Sequence, residues 1–110
     1  MDDTTIVRLE SALLVGQALD GSSEVPEPLR AAAAELQVAD DTDEALVIAG
    51  QLRPQLVILR ESVPVAEGLA FVSSLRQVCP SSLVVAVASQ ADVKDAVLFI
   101  RAGVKDYVSG

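Results

Sequence analysis

The charged chemistry of this 110-residue chain rests on sixteen carboxylates and eight cations, with no histidine and a single cysteine. That inventory removes a zinc site and any histidine-dependent triad. Three places remain where side chains could act. The run Asp40-Asp41-Thr42-Asp43-Glu44 could hold a cation or open a helix. The helix reading is the simpler one, because Asp41 with Glu44 three residues later forms a capping pair and acids favour the positive end of a helix. Cys79 could be reactive, but no base lies near it in sequence, so it reads as a small core or boundary residue. The third place is Arg60. It closes Pro54-Gln55-Leu56-Val57-Ile58-Leu59-Arg60, whose unbroken apolar run reads as a central parallel strand. In an open parallel sheet the functional crevice lies at the carboxyl ends of such strands. An enzyme or a phospho-switch would want a carboxylate there, and the chain supplies a guanidinium.

The elements that must position Arg60 follow from the apolar pattern. Ala12–Val15 is a strand closed by Gly16, and Asp20-Gly21-Ser22-Ser23 is a loop. Pro26 and Pro28 open a first helix, a position where proline is tolerated, and Leu29–Leu36 with its four alanines continues it. Val38 lies in a short edge strand. Ala45, Leu46, Ile48, Ala49 and Leu52 mark one face of a second helix, and the Leu56–Leu59 strand follows. Glu61–Glu67, with Pro64, reads as a loop. Gly68–Arg76 is a third helix that buries Leu69, Val72 and Leu75 and stops at Cys79-Pro80. Leu83–Ala88 is a second central strand. Ala91–Arg101 is a fourth helix, ended by Gly103 in the left-handed role, and Asp106–Ser109 is the last strand. The order is βα four times and then β, which predicts an α/β fold with a doubly wound five-stranded parallel sheet.

Residues 1–10 form a leader of uncertain order, and 11–110 form one domain. Half of the residues are hydrophobic and 3% are aromatic, so aliphatic residues and alanine build the core. A net charge of −8 makes free nucleic acid and anionic membrane poor partners. One cysteine points to a reducing compartment. No apolar run reaches membrane-spanning length, and Met1-Asp2-Asp3 is not a secretory start. Four helices cover the two faces of five strands unevenly, so a final helix after Val108 is expected either in a longer parent or replaced by a partner.

The chain resembles the response-regulator receiver (CheY-like) family over roughly residues 11–110. Ala45-Leu46 through Arg53-Pro54-Gln55-Leu56-Val57-Ile58-Leu59 is similar to the family's "EAL…RPDLVLLD". Pro64, Glu67 and Gly68-Leu69 fall at the spacing of its "MPxMDGL" loop, and Ala102-Gly103-Val104-Lys105-Asp106-Tyr107 resembles "AGADDYLxKP". The family's chemistry is aspartyl phosphorylation. An acidic pair after the first strand holds Mg²⁺, an aspartate ending the third strand accepts the phosphoryl group, and a Ser/Thr and a Lys end the fourth and fifth strands. The resemblance carries these roles onto Gly16 and Gln17, Arg60, Ala88 (with Ser89 beside it) and Gly110. None of the five residues keeps the family's chemistry. Tyr107 keeps the place of the switch aromatic.

The resemblance therefore implies a pseudo-receiver: a phosphorylation-independent, non-enzymatic module without metal or cofactor. It would contact a protein partner or a second copy through the fourth helix and fifth strand, at Val93, Val97, Arg101, Asp106 and Tyr107. The setting implied is a bacterial, cytoplasmic, multidomain parent: a pilus-assembly localisation protein, favoured for its equally complete loss of the set, a transcription activator or an RNA-binding antiterminator. Arg60 would replace the metal charge, pairing with Asp20 or Glu61, or else extend to solvent. The alternative is a phospho-accepting receiver using a displaced carboxylate such as Glu61 or Asp20. A third class is a small-ligand module, since this flavodoxin-like fold type also binds flavin; Gln17–Val25 offers a phosphate only Gly21 and two serines.

Overall fold

The computed structural model describes residues 9–17, 33–88 and 93–109. Five strands, β1 (Leu9–Val15), β2 (Ala33–Ala39), β3 (Leu56–Arg60), β4 (Leu83–Ala88) and β5 (Asp106–Ser109), form one parallel sheet in the order β2-β1-β3-β4-β5. Three described helices, α1 (Thr42–Leu52), α2 (Val65–Val78) and α3 (Val93–Ala102), connect strands of that sheet. They correspond to the second, third and fourth helices expected from sequence. The doubly wound fold predicted from the βα alternation is the one formed, and its strand order places a topological switch between β1 and β3.

The two central strands read as continuous apolar runs, yet their burial alternates. Leu13, Val15, Val57, Leu59, Val84 and Ala86 lie in one core with Phe71, Val72 and Leu75 of α2 and Phe99 of α3. On the opposite face Ile58, Val85 and Val87 are only half-buried. Period-two geometry separates the two sets. The helix layer holds one face, and Ala45 and Ala49, both fully buried, let α1 approach the sheet closely.

The sequence reading fails in three places. The composition of Ala33, Ala34, Glu35 and Leu36 predicts a helix, but they belong to β2, which is seven residues long and pairs with β1 through Ser11↔Glu35 and Ala12↔Leu36. Alanine's helix propensity is a weak prior, and an edge pairing that satisfies a whole row of backbone groups overrides it. The part of that expected helix before Ala33 lies outside the described residues. The loop expected over Glu61–Glu67 is shorter, because α2 begins at Val65 with Pro64 as its N-cap residue; a fixed φ suits a helix entrance. That earlier start also adds Phe71 and Gly68 to the buried side, while Leu69 is only partly buried. Finally β1 begins at Leu9, two residues before the boundary assigned to the domain.

Local signals elsewhere act as read. The Asp41 carboxylate accepts the Glu44 N–H at 2.8 Å, and Glu44 Oε1 accepts the Asp40 N–H at 2.8 Å. The acidic run is therefore a reciprocal cap for α1. Gly103 ends α3 with φ +113°, and Arg76 Nη1 donates to the Ala102 carbonyl at 3.1 Å, satisfying a helix-end acceptor. Cys79 is buried and its thiol donates to the Ala49 carbonyl at 3.2 Å, a core residue joining α1 to the end of α2. Replacing Asp41 by alanine is expected to cost about 1 kcal/mol. Urea denaturation should show a lower midpoint with an unchanged slope.

Candidate functional site

Parallel pairing brings the carboxyl ends of β1, β3, β4 and β5 to one edge of the sheet. Val15 is opposite Leu59, Arg60 is opposite Val87, and Ala88 is opposite Ser109. Gly16, Arg60 and Ala88, three of the positions carried over from the receiver pattern, thus converge on a single crevice. Gly110, the fourth strand-end position, lies outside the described residues, as do Asp20 and Ser89.

Gly16 leaves β1 with φ +100°, and its N–H donates to the Ala39 carbonyl at 2.8 Å, which fastens the end of β1 to the end of β2. A Cβ on Gly16 would stand 2.7 Å from Ser62 Oγ, 3.0 Å from Val63 Cγ2 and 3.3 Å from Arg60 Cβ. Only glycine fits there, both for the backbone angle and for the space. The Ser62 hydroxyl donates to the Gln17 carbonyl at 2.6 Å. Val63 is buried, and its N–H donates to the Arg60 carbonyl at 3.1 Å in the turn that follows β3.

Beside this junction lies a cavity of about 170 Å³ between the ends of β3 and β4, the first half of β5 and the first turns of α3. Its apolar wall includes Leu59, Val63, Ala86 and Phe99, and its polar groups are Arg60, Glu61, Asp95 and Tyr107. Arg60 is half-buried, with Nη1 shielded from solvent. The Tyr107 ring stacks on Phe99, with centroids 6.0 Å apart and planes 24° from parallel. The volume is below the few hundred Å³ typical of small-ligand sites, so it does not favour a flavin-sized occupant.

The strand-end residues do not fit a divalent cation. Gly16 and Gln17 bring no charge, Arg60 brings a positive one, and Ala88 brings a methyl group. Among the described residues no group of three His, Cys, Asp or Glu side chains is placed to hold a metal ion.

Sequence reasoning missed Ser62, Asp95 and Phe99 as members of this end of the molecule. Ser62 sat inside a segment read only as a loop. Asp95 and Phe99 carried a usable signal, since four residues apart on one helix they share a face. The expected contact residues divide. Val93, Val97, Arg101 and Asp106 are exposed, with Val93 79% and Val97 46% accessible. Tyr107 is half-buried against Phe99 and faces the cavity.

A model of the response regulator receiver domain matches residues 22–109. Among curated proteins, the transcriptional regulatory protein PrrA of Mycobacterium leprae (strain TN) and that of Mycobacterium tuberculosis are each 30% identical over 96 residues, 87% of this chain. The chain spans 41% of those relatives' length. Among solved structures, the chemotaxis protein CheY4 of Vibrio cholerae superposes with a TM-score of 0.76 at 20% identity, over 92% of this chain and 86% of that one. A response regulator from Burkholderia pseudomallei, described with a phosphorylated aspartic acid, calcium ion and citrate, gives 0.76 at 20% identity over 91% and 59%. The receiver domain of NtrX from Brucella abortus gives 0.73 at 27% identity over 89% and 83%. With the family model covering most of the chain, this chain belongs to the response regulator receiver domain family.

Proposed function

We propose that the chain is a pseudo-receiver: a non-enzymatic, phosphorylation-independent receiver domain that works by contact with another protein. The observation that carries this reading is Arg60 at the carboxyl end of β3, beside a glycine that no acid can replace without strain. A guanidinium stays protonated at any physiological pH and forms no stable phosphoryl ester. It also places a fixed positive charge in the part of the crevice where the family uses a metal ion. The domain belongs, in this reading, to a cytoplasmic bacterial regulatory or pilus-assembly localisation protein. No described helix is long and apolar enough to cross a membrane.

The contact surface we assign is the outer side of α3 with the start of β5. Val93, Val97, Leu98 and Ile100 are exposed there. Lys94 and Arg101 flank them, and Lys105 follows at the junction with β5. Residues 93–105 hold three cations, including both lysines of the chain, against the single carboxylate Asp95, within a chain of net charge −8. A twofold pairing of α3 with its own copy, centred on Val97-Leu98, would set Lys94 opposite Arg101 twice. Such like-charge pairs oppose association. The occupant that fits is an apolar surface bearing carboxylates on a different protein.

A displaced-carboxylate acceptor is the competing reading, supported by Glu61 and Asp95 on the wall of the same cavity. Amide NMR spectra recorded while Mg²⁺ and then beryllofluoride are added separate the two. The pseudo-receiver predicts no saturable shifts at Gly16, Arg60 or Ala88. Saturable shifts clustered around Glu61 or Asp95 would replace it with the phospho-accepting reading. Arg60→Ala is expected to lower stability by about 0.5–3 kcal/mol, the usual span for a single substitution, and Arg60→Lys should recover little of it because a lysine cannot reproduce the planar guanidinium. An unchanged melting temperature in Arg60→Ala would remove the substitute-charge role. In sedimentation velocity at low salt the unmodified domain should not pair through α3. Lys94→Glu, which turns the like-charge pairs into opposite ones, should increase self-association, and added salt should reverse it.

A further inference from the structure

We propose that Gly16, Gln17 and Ser62 form an uncharged clasp joining the ends of β1 and β3, in the place where a receiver uses a divalent cation to join them. The proposal deepens the pseudo-receiver reading and rests on its residue correspondence. It adds that the crevice is closed to metal by shape as well as by charge.

A cation in this fold would need oxygens from the residues after β1 and from the end of β3. Here the two segments are already tied by a neutral bond. Ser62 Oγ donates to the Gln17 carbonyl at 2.6 Å, so a backbone oxygen at the β1 end is engaged by a hydroxyl. Gly16 is packed beneath that hydroxyl, since a Cβ there would approach Ser62 Oγ to 2.7 Å and Val63 Cγ2 to 3.0 Å. The positive φ of +100° adds backbone strain for any other residue. Neither neighbour is a loose side-chain end. Ser62 Oγ is held by its bond to Gln17, and Val63 is buried with its N–H bonded to the Arg60 carbonyl. A carboxylate at position 16 would have to break this junction. A carboxylate restored at position 60 alone would still face a β1 end that offers no charge and whose carbonyl is occupied. The clasp contains no titratable group and no exchangeable ion, so it holds the crevice in one arrangement whatever the supply of Mg²⁺ or phosphoryl donor.

Two measurements test this. The first compares Gln17→Asp/Arg60→Asp with Gln17→Asp/Arg60→Asp/Ser62→Ala by Mg²⁺ titration followed in amide NMR spectra, whose dispersion also reports that each variant is folded. Neither variant replaces Gly16. Mg²⁺ should bind the triple variant at least about tenfold more tightly than the double, the scale of one competing hydrogen bond. Equal affinity in the two, or saturable binding in neither, would overturn the clasp. The second uses Ser62→Ala alone and needs no metal. Amide exchange at Gly16 and Val63 should quicken by roughly tenfold, the effect of losing one local hydrogen bond, while Val85 in β4 keeps its rate. Unchanged exchange at Gly16 and Val63 would overturn the proposal. A beryllofluoride response in the unmodified protein would instead sink the pseudo-receiver reading, and leave the exchange result standing as a measure of the clasp.

Discussion

The functional end of this molecule depends on how β3 is held between β1 and β4. Val57 pairs with Leu13 on one side and Val84 on the other, and all three face the helix layer. A slip of one residue would exchange the fully buried row of Val57 and Leu59 for the half-buried row of Leu56 and Ile58, and would turn Arg60 toward the core. The cost of burying an unpaired guanidinium and of losing two core positions acts in the same direction. The register is therefore fixed, and with it the emergence of Arg60 beside Gly16. Everything assigned to the crevice follows from that placement: the tight turn through Val63, the hydroxyl of Ser62 over Gly16, and the cavity walled by α3.

Much of this was legible in the sequence because the signals were local or periodic. The apolar runs at Leu56–Leu59 and Leu83–Ala88 gave the central strands. Asp41 with Glu44 marked the entrance of α1, and Gly103 marked the exit of α3. What was not legible depended on contacts distant in sequence. The Ala33–Leu36 segment has the composition of a helix, and nothing within it announces that β1 offers an edge along Ser11 to Leu14. Ser62 reads as one more loop residue until the fold brings Gln17 within hydrogen-bonding reach. The glycine at position 16 showed that an acid was missing. It did not show that the space for one had been filled.

A receiver switches because two arrangements of its strand ends and loops differ little in free energy, and a ligand binds one of them better. Ligands shift such an equilibrium only through differential affinity. In the family that differential comes from a dication and a phosphoryl group bridging separate segments. In this chain the strand ends carry a glycine, a glutamine, an arginine and an alanine, and the β1 and β3 ends are joined by a hydroxyl and a carbonyl. Under the pseudo-receiver reading no small ligand has a large preference for one arrangement, and a bistable element has become a fixed one.

The consequence reaches the far wall of the crevice. Tyr107 stacks on Phe99, and Phe99 also packs against the space over Gly68 in α2. Phe99 is therefore held in the core between α2 and α3, and the Tyr107 ring stacked on it takes its position from that packing. A surface that must always be ready for a partner gains from such a support, because a preorganised face loses less conformational freedom on binding. The exposed side of α3 stands directly on it: Asp95 and Phe99 point into the cavity and the core, while Val93, Val97, Ile100 and their flanking cations point outward. One ten-residue helix thus links the crevice to the proposed contact surface. Under the pseudo-receiver reading, the packing of Phe99 and Tyr107 that walls the crevice is also what would hold that surface rigid for a partner.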